Sequence, residues 1–485
     1  MSKHPVRVRF CPSPTGFLHI GGVRTALFNF LFAKRHNGTF ILRLEDTDRE
    51  RFVEAGVGQI VEVLDWLGLR PDEGYWAGEH TGDVGPYIQS ERLPKYGEVV
   101  QQLVDAGLAY KSIIAPDEFI VLRDAAIAEK RPFVYRRSME PANGRAGDSG
   151  ALPIRLDIEA VGKHLGIHEV SWQDEVRGQG SAALSVVDDF ILMKADGFPT
   201  YNFANIVDDH HMQISHVMRG DEFISSMPKH ALLYDALGYD RPVWAHLPVI
   251  LGNDGSKLSK RHGDTDALQY REKGYLPEAL LNFLALLGWN DGTEQEVFTL
   301  EEMIEKFSLD RIQKSPAKFD MERLNWLNGV YIREKLTEDE YVKRAERELH
   351  AAGVKVGDNL REVVLLERDR IKSFAELPDV VGFFFSQPRP KQSAELATKK
   401  LAVDTVKSYI ELAIAALAEC DDTELAIEQA LRDVVGREGI KVGDFFSTIR
   451  IGITGRTAAP GLFETIHTLT IKESLVRLRK LNAVL

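Results

Sequence analysis

Cysteine is scarce in this chain: among 485 residues only Cys11 and Cys420 carry a thiol. Two cysteines build neither a disulfide framework nor a cysteine-based metal cluster, and their scarcity fits a reducing compartment. Long apolar runs are missing too. No stretch approaches the ~18 to 20 apolar residues a membrane span needs, and the first residues show no apolar signal-peptide segment. The expectation is a cytoplasmic protein without membrane contact. Basic residues are outnumbered, 60 against 73 acidic ones, for a net charge of −13. Nucleic-acid binders are more often basic, so any RNA must be met by local basic patches rather than by the field of the whole molecule. No internal repeat or low-complexity tract stands out.

What remains is ordinary for a folded protein, with 44% hydrophobic and 27% charged residues. The length exceeds what one core supports and predicts three or more domains. Two short stretches carry most of the information: Arg9-Phe-Cys-Pro-Ser-Pro-Thr-Gly-Phe-Leu-His-Ile-Gly-Gly22 and Gly255-Ser-Lys-Leu-Ser-Lys-Arg261. The first follows a strand-like run, Val6 to Phe10, and opens into Val23, Ala26, Leu27, Phe30 and Leu31, which have helical spacing. A glycine-rich turn at a helix N-terminus is a phosphate site in outline, with bare glycines for close approach and free N–H groups for phosphate oxygens. Asn37-Gly38 and a second strand-like run, Phe40 to Leu44, close a β-loop-α-β unit.

Further on, Asp117 to Gly180 reads as an insertion between two halves of one parallel sheet, which resumes near Val186 to Lys194. Arg9, Glu45, Arg219 and Lys257 all fall at or just past strand ends, where open parallel sheets bind ligands. From Leu276 the helical period takes over, and beyond about Asn325 the chain reads as nearly all α-helical. Blander readings compete at each motif. An isolated His-x-Gly-Gly is usually only a turn, and Lys257 to Arg261 alone would be a solvated charge run. Glu45-Asp-Thr-Asp48 resembles a metal-binding carboxylate cluster or a helix N-cap, and capping is kept for Asp46 or Asp48 even if Glu45 is functional. Asp208-Asp-His-His211 resembles a metal site, but neighbouring histidines on one strand point to opposite faces, so structural hydrogen bonding is the reading preferred.

Taken together, His19-Ile-Gly-Gly22 and Lys257-Leu-Ser-Lys-Arg261 resemble the two signatures of class I aminoacyl-tRNA synthetases. Cys-Pro-Ser-Pro-Thr-Gly, Leu42-Arg-Leu-Glu-Asp-Thr-Asp48, Asp196-Gly-Phe-Pro-Thr-Tyr-Asn-Phe-Ala-Asn205 and His216-Val-Met-Arg-Gly-Asp-Glu222 look like the bacterial glutamyl-tRNA synthetases in particular. The resemblance is strong across roughly residues 3 to 335 and thinner, carried mainly by helical patterning, to the C-terminus. It implies an α/β fold with a Rossmann-like catalytic sheet split by an α+β insertion, followed by an all-α anticodon-binding half. Pattern and resemblance together divide the chain into catalytic halves 1–88 and 189–245, an acceptor-end-binding insertion 89–188, a stem-contact region with a mobile lysine loop 246–325, and helical anticodon-binding domains 326–382 and 383–485.

The resemblance further implies the reaction: glutamate is activated with ATP and passed to glutamate-accepting tRNA, with release of AMP and pyrophosphate. His19, Gly21, Gly22, Lys257, Ser259 and Lys260 would hold ATP, with His19, Lys257 and Lys260 acting on the developing phosphate charge. Arg9, Tyr201 and Arg219 would take the side-chain carboxylate, since guanidinium matches a carboxylate in two places. Glu45 and Ser13 would take the ammonium, with Asn205 nearby and Cys11 placed by its backbone. Arg370, and less well Arg368, align with the anticodon-reading arginine. Mg2+ is expected only with ATP, and the chain is expected to be a monomer. Some relatives carry a zinc site in the insertion, but Tyr110 to Ile114 and Tyr135 to Arg137 contain no cysteine. No zinc is expected, and the insertion should hold its shape by packing alone. Three other classes compete: a small nucleotidyltransferase, which seldom needs some 150 further helical residues; a truncated relative that glutamylates an RNA base; and a non-catalytic RNA-binding module.

Overall fold

The computed structural model describes residues 5–141, 152–259 and 265–485. The chain divides into two compact units, residues 1–269 with 280–320 and residues 270–279 with 321–485. In the first, β1 (Arg7–Phe10) leads into α1 (Ile20–Arg35) and the chain returns as β2 (Thr39–Leu42), parallel to β1. Gly38 in the connecting turn is there for space: a Cβ would stand 2.4 Å from the Val6 carbonyl oxygen. Then come α2 (Glu54–Trp66), β3 (Glu73–Trp76), parallel to β2, and β4 (Glu79–Thr81), an antiparallel edge.

The next segment runs α3 (Leu93–Asp105), β5 (Ala109–Lys111), α4 (Pro116–Ala128), β6 (Ile154–Leu156), α5 (Ile158–Leu165), β7 (Glu169–Asp174), β8 (Gly178–Ala183) and β9 (Ile191–Met193). Strands β5, β6 and β9 form an antiparallel sheet. The core sheet resumes through α6 (Tyr201–His211), β10 (His216–Gly220), α7 (Met227–Ala236) and β11 (Val243–Leu247). The Ser215 N–H donates to the Arg7 carbonyl at 2.9 Å, which sets β10 beside β1. The order across the core is therefore β3-β2-β1-β10-β11, and the chain leaves β1 and β10 toward opposite sides. A crevice opens at such a reversal, beyond the carboxyl ends of the strands. The β7–β8 hairpin extends the far edge, with Asp174 opposite Trp244 of β11. Beyond it lie β12 (Ile250–Leu251), α8 (Ala267–Glu272), α9 (Pro277–Leu286), α10 (Leu300–Lys306) and β13 (Ala317–Lys318), the last parallel to β12.

Two expectations are corrected. Residues 208–211 end helix α6 rather than lie on a strand, because the segment continues the helix begun at Tyr201, whose buried face carries Phe203, Ile206 and Val207. And the insertion is not held by packing alone. Glu140 gathers the Ile113 and Ile114 N–H groups at 2.8 and 3.0 Å, the Ser112 hydroxyl at 2.5 Å and the Tyr135 hydroxyl at 2.9 Å. Arg155 lies over the Tyr135 and Phe119 rings and donates to Ser112. One carboxylate thus ties together the two segments around residues 110–114 and 135–140.

In the second unit α11 (Met321–Val330) runs into a π-turn, Tyr331–Lys335, and is followed by α12 (Glu338–Ala351), α13 (Leu360–Leu365) and α14 (Leu377–Phe385). Then come α15 (Pro390–Ala397), α16 (Val403–Ala418), α17 (Glu424–Glu438), α18 (Val442–Thr454), α19 (Leu462–Leu469) and α20 (Ile471–Asn482). Helix α12 begins with the reciprocal cap Thr337/Glu340. Val406, Ile410, Ala413 and Leu417 of α16, spaced three or four apart, are fully buried.

Candidate active site

A cavity of about 1000 Å3 opens at the crevice between β1 and β10. Arg9, Cys11, Ser13, His19, Gly21, Gly22, Glu45, Tyr201, Asn205, Arg219 and Lys257 all line it, so most residues singled out in the sequence converge on one space. Ser259 is described but does not line the cavity, and Lys260 lies outside the described residues.

The floor of the site is a buried charge network. Arg9 donates to Asp209 from Nε at 3.1 Å and from Nη2 at 3.2 Å. Arg43, fully buried on the far side, reaches Asp209 at 2.8 Å and Glu45 at 3.1 Å. Arg92 reaches Asp208 at 2.6 Å, and Tyr96 and Gln89 donate to the same carboxylate. Burial pushes the Asp209 carboxyl up, but Arg9 and Arg43 outweigh it and hold it below the usual range. For Glu45 burial wins over Arg43 and Arg9, and its carboxyl is raised. An arriving ammonium is the partner that would lower it. The two aspartates that looked like metal ligands are consumed by guanidinium groups. Three arginines, Arg9, Arg43 and Arg92, balance three carboxylates, Glu45, Asp208 and Asp209.

Arg219 stands outside this balance. It is 5% exposed, and among the described residues no carboxylate comes within ion-pair distance of it. Its partners are neutral: Nε donates to His246 Nε2 at 3.0 Å, Nη1 to the Tyr201 hydroxyl at 3.0 Å, and Nη2 to His230 Nδ1 at 3.0 Å. A buried cation without a counter-ion is costly unless a ligand supplies the anion. Asn205 donates to the Tyr201 oxygen at 2.8 Å, so that oxygen accepts twice and its own proton is left to donate. Burial pushes the Tyr201 pKa up and keeps the hydroxyl protonated. The Cys11 thiol is likewise pushed up by burial, to about 12, which removes it as a nucleophile.

At the other wall His19 caps α1: its Nδ1 accepts the Gly21 N–H at 3.0 Å, which puts the proton of the neutral ring on Nε2. The remaining first-turn donors are engaged as well, Ile20 N–H by the Thr265 carbonyl and the Gly22 and Val23 N–H groups by the His19 carbonyl. The expected cradle of free N–H groups is therefore closed in this structure. What the turn offers a phosphate is the helix dipole and an approach cleared by glycines. Ile250 and Leu251 pair back onto Lys257 and Leu258 around a turn with Gly255 at φ +78, and Lys257 Nζ stands 3.7 Å from Glu222.

In the second unit the two candidate arginines part ways. Arg368 spends its donors on the Ile332, Arg333 and Leu336 carbonyls that end the π-turn. Arg370 is half exposed and, among the described residues, pairs with Glu367 alone, at 3.1 Å. Sequence reasoning passed over Arg43, Asp174, His230 and His246. Arg43 and Asp209 stood inside quoted motifs, where a charge embedded in a strand or helix of apolar residues was the available signal.

Residues 5–326 match the family model described as "tRNA synthetases class I (E and Q), catalytic domain", and residues 335–482 match "Anticodon binding domain". The chain is 42% identical to the glutamate–tRNA ligase of Moorella thermoacetica, covering 98% of this chain and 97% of that one. It is also 42% identical to the glutamate–tRNA ligase of Dehalococcoides mccartyi strain BAV1, covering 98% and 96%. Among solved structures, the glutamate tRNA ligase of Elizabethkingia meningosepticum in complex with its amino acid superposes with a TM-score of 0.85 at 32% identity, over 99% of this chain and all of the other. The Rossmann-like catalytic sheet, the helical second unit and these matches agree, and the chain belongs to the class I tRNA synthetases of the E and Q branch.

Proposed function

We propose that this chain is a glutamate–tRNA ligase whose amino-acid pocket is the crevice between β1 and β10. The observation that carries the reading is Arg219, buried and uncompensated inside a cavity that also holds Glu45, His19 and Lys257. Glutamate answers each feature. Its side-chain carboxylate meets the Arg219 guanidinium and the Tyr201 O–H, with Arg9 behind Asn205. Its ammonium meets Glu45 near Ser13. Every polar atom offered to the side chain is a donor, so an acceptor-only carboxylate fits and the NH2 of glutamine does not.

The substrate carboxylate is already ionised and needs no base. Its oxygen attacks the α-phosphorus of ATP, the bond to pyrophosphate breaks, and the charge gathering on phosphate falls beside the His19 N–H and Lys257, while the family resemblance assigns Lys260 to the same charge. ATP would bring Mg2+ with it. A ribose hydroxyl at the tRNA end then attacks the activated carbonyl and AMP leaves. In the helical half, the half-exposed Arg370 is the side chain assigned here to an anticodon base. Isotope exchange between pyrophosphate and ATP, with and without tRNA, tests the proposal: exchange should require glutamate. Exchange driven equally by glutamine, or absent with tRNA and glutamate both present, overturns it.

A further inference from the structure

The Arg219 side chain is held by two histidines that the reaction itself does not use. Arg219 and His246 are direct partners across the parallel β10–β11 ladder, which puts both side chains on one face. His246 Nδ1 lies 2.6 Å from Asp174 Oδ2, and the same carboxylate takes the His246 backbone N–H. Asp174 in turn is fixed by the Val176 and Arg177 N–H groups at 3.0 and 2.7 Å. A carboxylate accepts only, so Nδ1 carries the proton and Nε2 presents a lone pair to Arg219. On the other side, His230 of α7 lies with Nε2 2.8 Å from the Asn202 side-chain amide oxygen and Nδ1 3.0 Å from Arg219 Nη2. It too turns a lone pair toward the guanidinium.

We propose that His230 and His246 are positioning residues that determine specificity: they fix the plane of Arg219 with neutral lone pairs and so leave its charge for the substrate. This rests on the assignment of the pocket to glutamate. A carboxylate at either place would hold the guanidinium as firmly but would neutralise it, as Asp209 does for Arg9. A protonated imidazole would face donor with donor and turn Arg219 away. Burial, reinforced at both rings by Arg219, keeps each imidazole neutral, against an opposing pull from Asp174 on His246. With Nε, one Nη1 hydrogen and Nη2 engaged by His246, Tyr201, His230 and the Met227 sulfur, the guanidinium can neither swivel nor retract. Its second Nη1 hydrogen is taken by none of these four partners. Charge and direction together make the site select an acid over its amide.

The test uses two substitutions of nearly equal shape at one position. His230→Asn keeps a neutral acceptor toward Arg219, whereas His230→Asp places a carboxylate there. Pyrophosphate exchange by the full chain with tRNA present should give His230→Asp a glutamate KM ~10-fold or more above that of His230→Asn, with a narrowed glutamate-to-glutamine ratio and an unchanged KM for ATP. At the second histidine, His246→Gln should recover most of the affinity that His246→Leu loses. Equal glutamate KM values for the Asn and Asp variants, both folded by circular dichroism, overturn the inference, because a merely structural role is blind to that charge. If the wild-type chain shows no glutamate-dependent exchange, the pocket assignment itself has failed and takes this inference with it.

Discussion

At the scale of single residues the site is governed by which charges have partners. Arg9 and Arg219 are both buried guanidinium groups in one cavity, yet the first is neutralised by Asp209 and the second meets no carboxylate among the described residues. Arg219→Ala is therefore expected to cost on the order of 3 to 5 kcal/mol in glutamate activation, the scale of removing one partner of a buried ionic contact. Pyrophosphate exchange checks it, and activation within a few-fold of wild type removes Arg219 from the pocket. The sequence displayed Arg219 plainly, through a motif at a strand end. It did not display the partners, because His230, His246 and Asp174 come from a helix and two strands that only folding brings together. Asp209 was hidden differently: next to two histidines it imitates a metal ligand, and only the arrival of Arg9 from 200 residues away shows its role.

At the scale of elements, local chemistry was legible wherever the chain caps or patterns itself. The β1–α1–β2 unit, the helical face after Leu276 and the α-rich second unit follow from spacing alone. Segment 208–211 was misread because four polar residues show no period, and burial of the helix they end decides their conformation. The π-turn after α11 had no sequence signal either. It separates the two arginines into different tasks. Arg368→Ala strips hydrogen bonds from three helix-end carbonyls and should lower the stability of the second unit by about 1 to 3 kcal/mol, seen in urea unfolding. Arg370→Ala should leave stability within about 0.5 kcal/mol but change charging selectivity between tRNAs that differ only in the anticodon by ~1 to 3 kcal/mol. An unchanged selectivity ratio at two salt concentrations removes Arg370 from that role.

Strand β10 carries its own pH dependence. Burial, with a smaller contribution from His36, lowers the His216 pKa to about 4. A depressed histidine contributes stability that is present above its unfolded pKa near 6.5 and is lost as the pH falls toward 4. The difference between wild type and His216→Gln should then change across that window with a slope of up to about 1.4 kcal/mol per pH unit. Urea midpoints at pH 7, 5.5 and 4.5 measure it. A difference that is flat with pH means His216 titrates normally.

At the scale of the whole molecule, an excess of 13 negative charges repels RNA generally, so binding of the RNA substrate is expected to rest on local basic contacts. The same economy holds in the catalytic unit, where Arg9 of β1 and Arg219 of β10 line one cavity although α1 to α6 intervene between their strands. This placement has a temporal consequence. A chain emerging from its N-terminus completes α1 and its capped turn early, yet no amino-acid pocket exists until β10 and β11 have docked beside β1. Loops of that length close slowly, and contacts so distant in sequence form late. On refolding from urea, glutamate-dependent exchange should return only with the slowest phase of sheet formation reported by the buried Trp244, never ahead of it. Activity that precedes that phase would show the pocket assembling without its second arginine strand. A ligase built this way would stay silent while half made, and a nascent chain would be unable to activate an amino acid it is not yet able to choose.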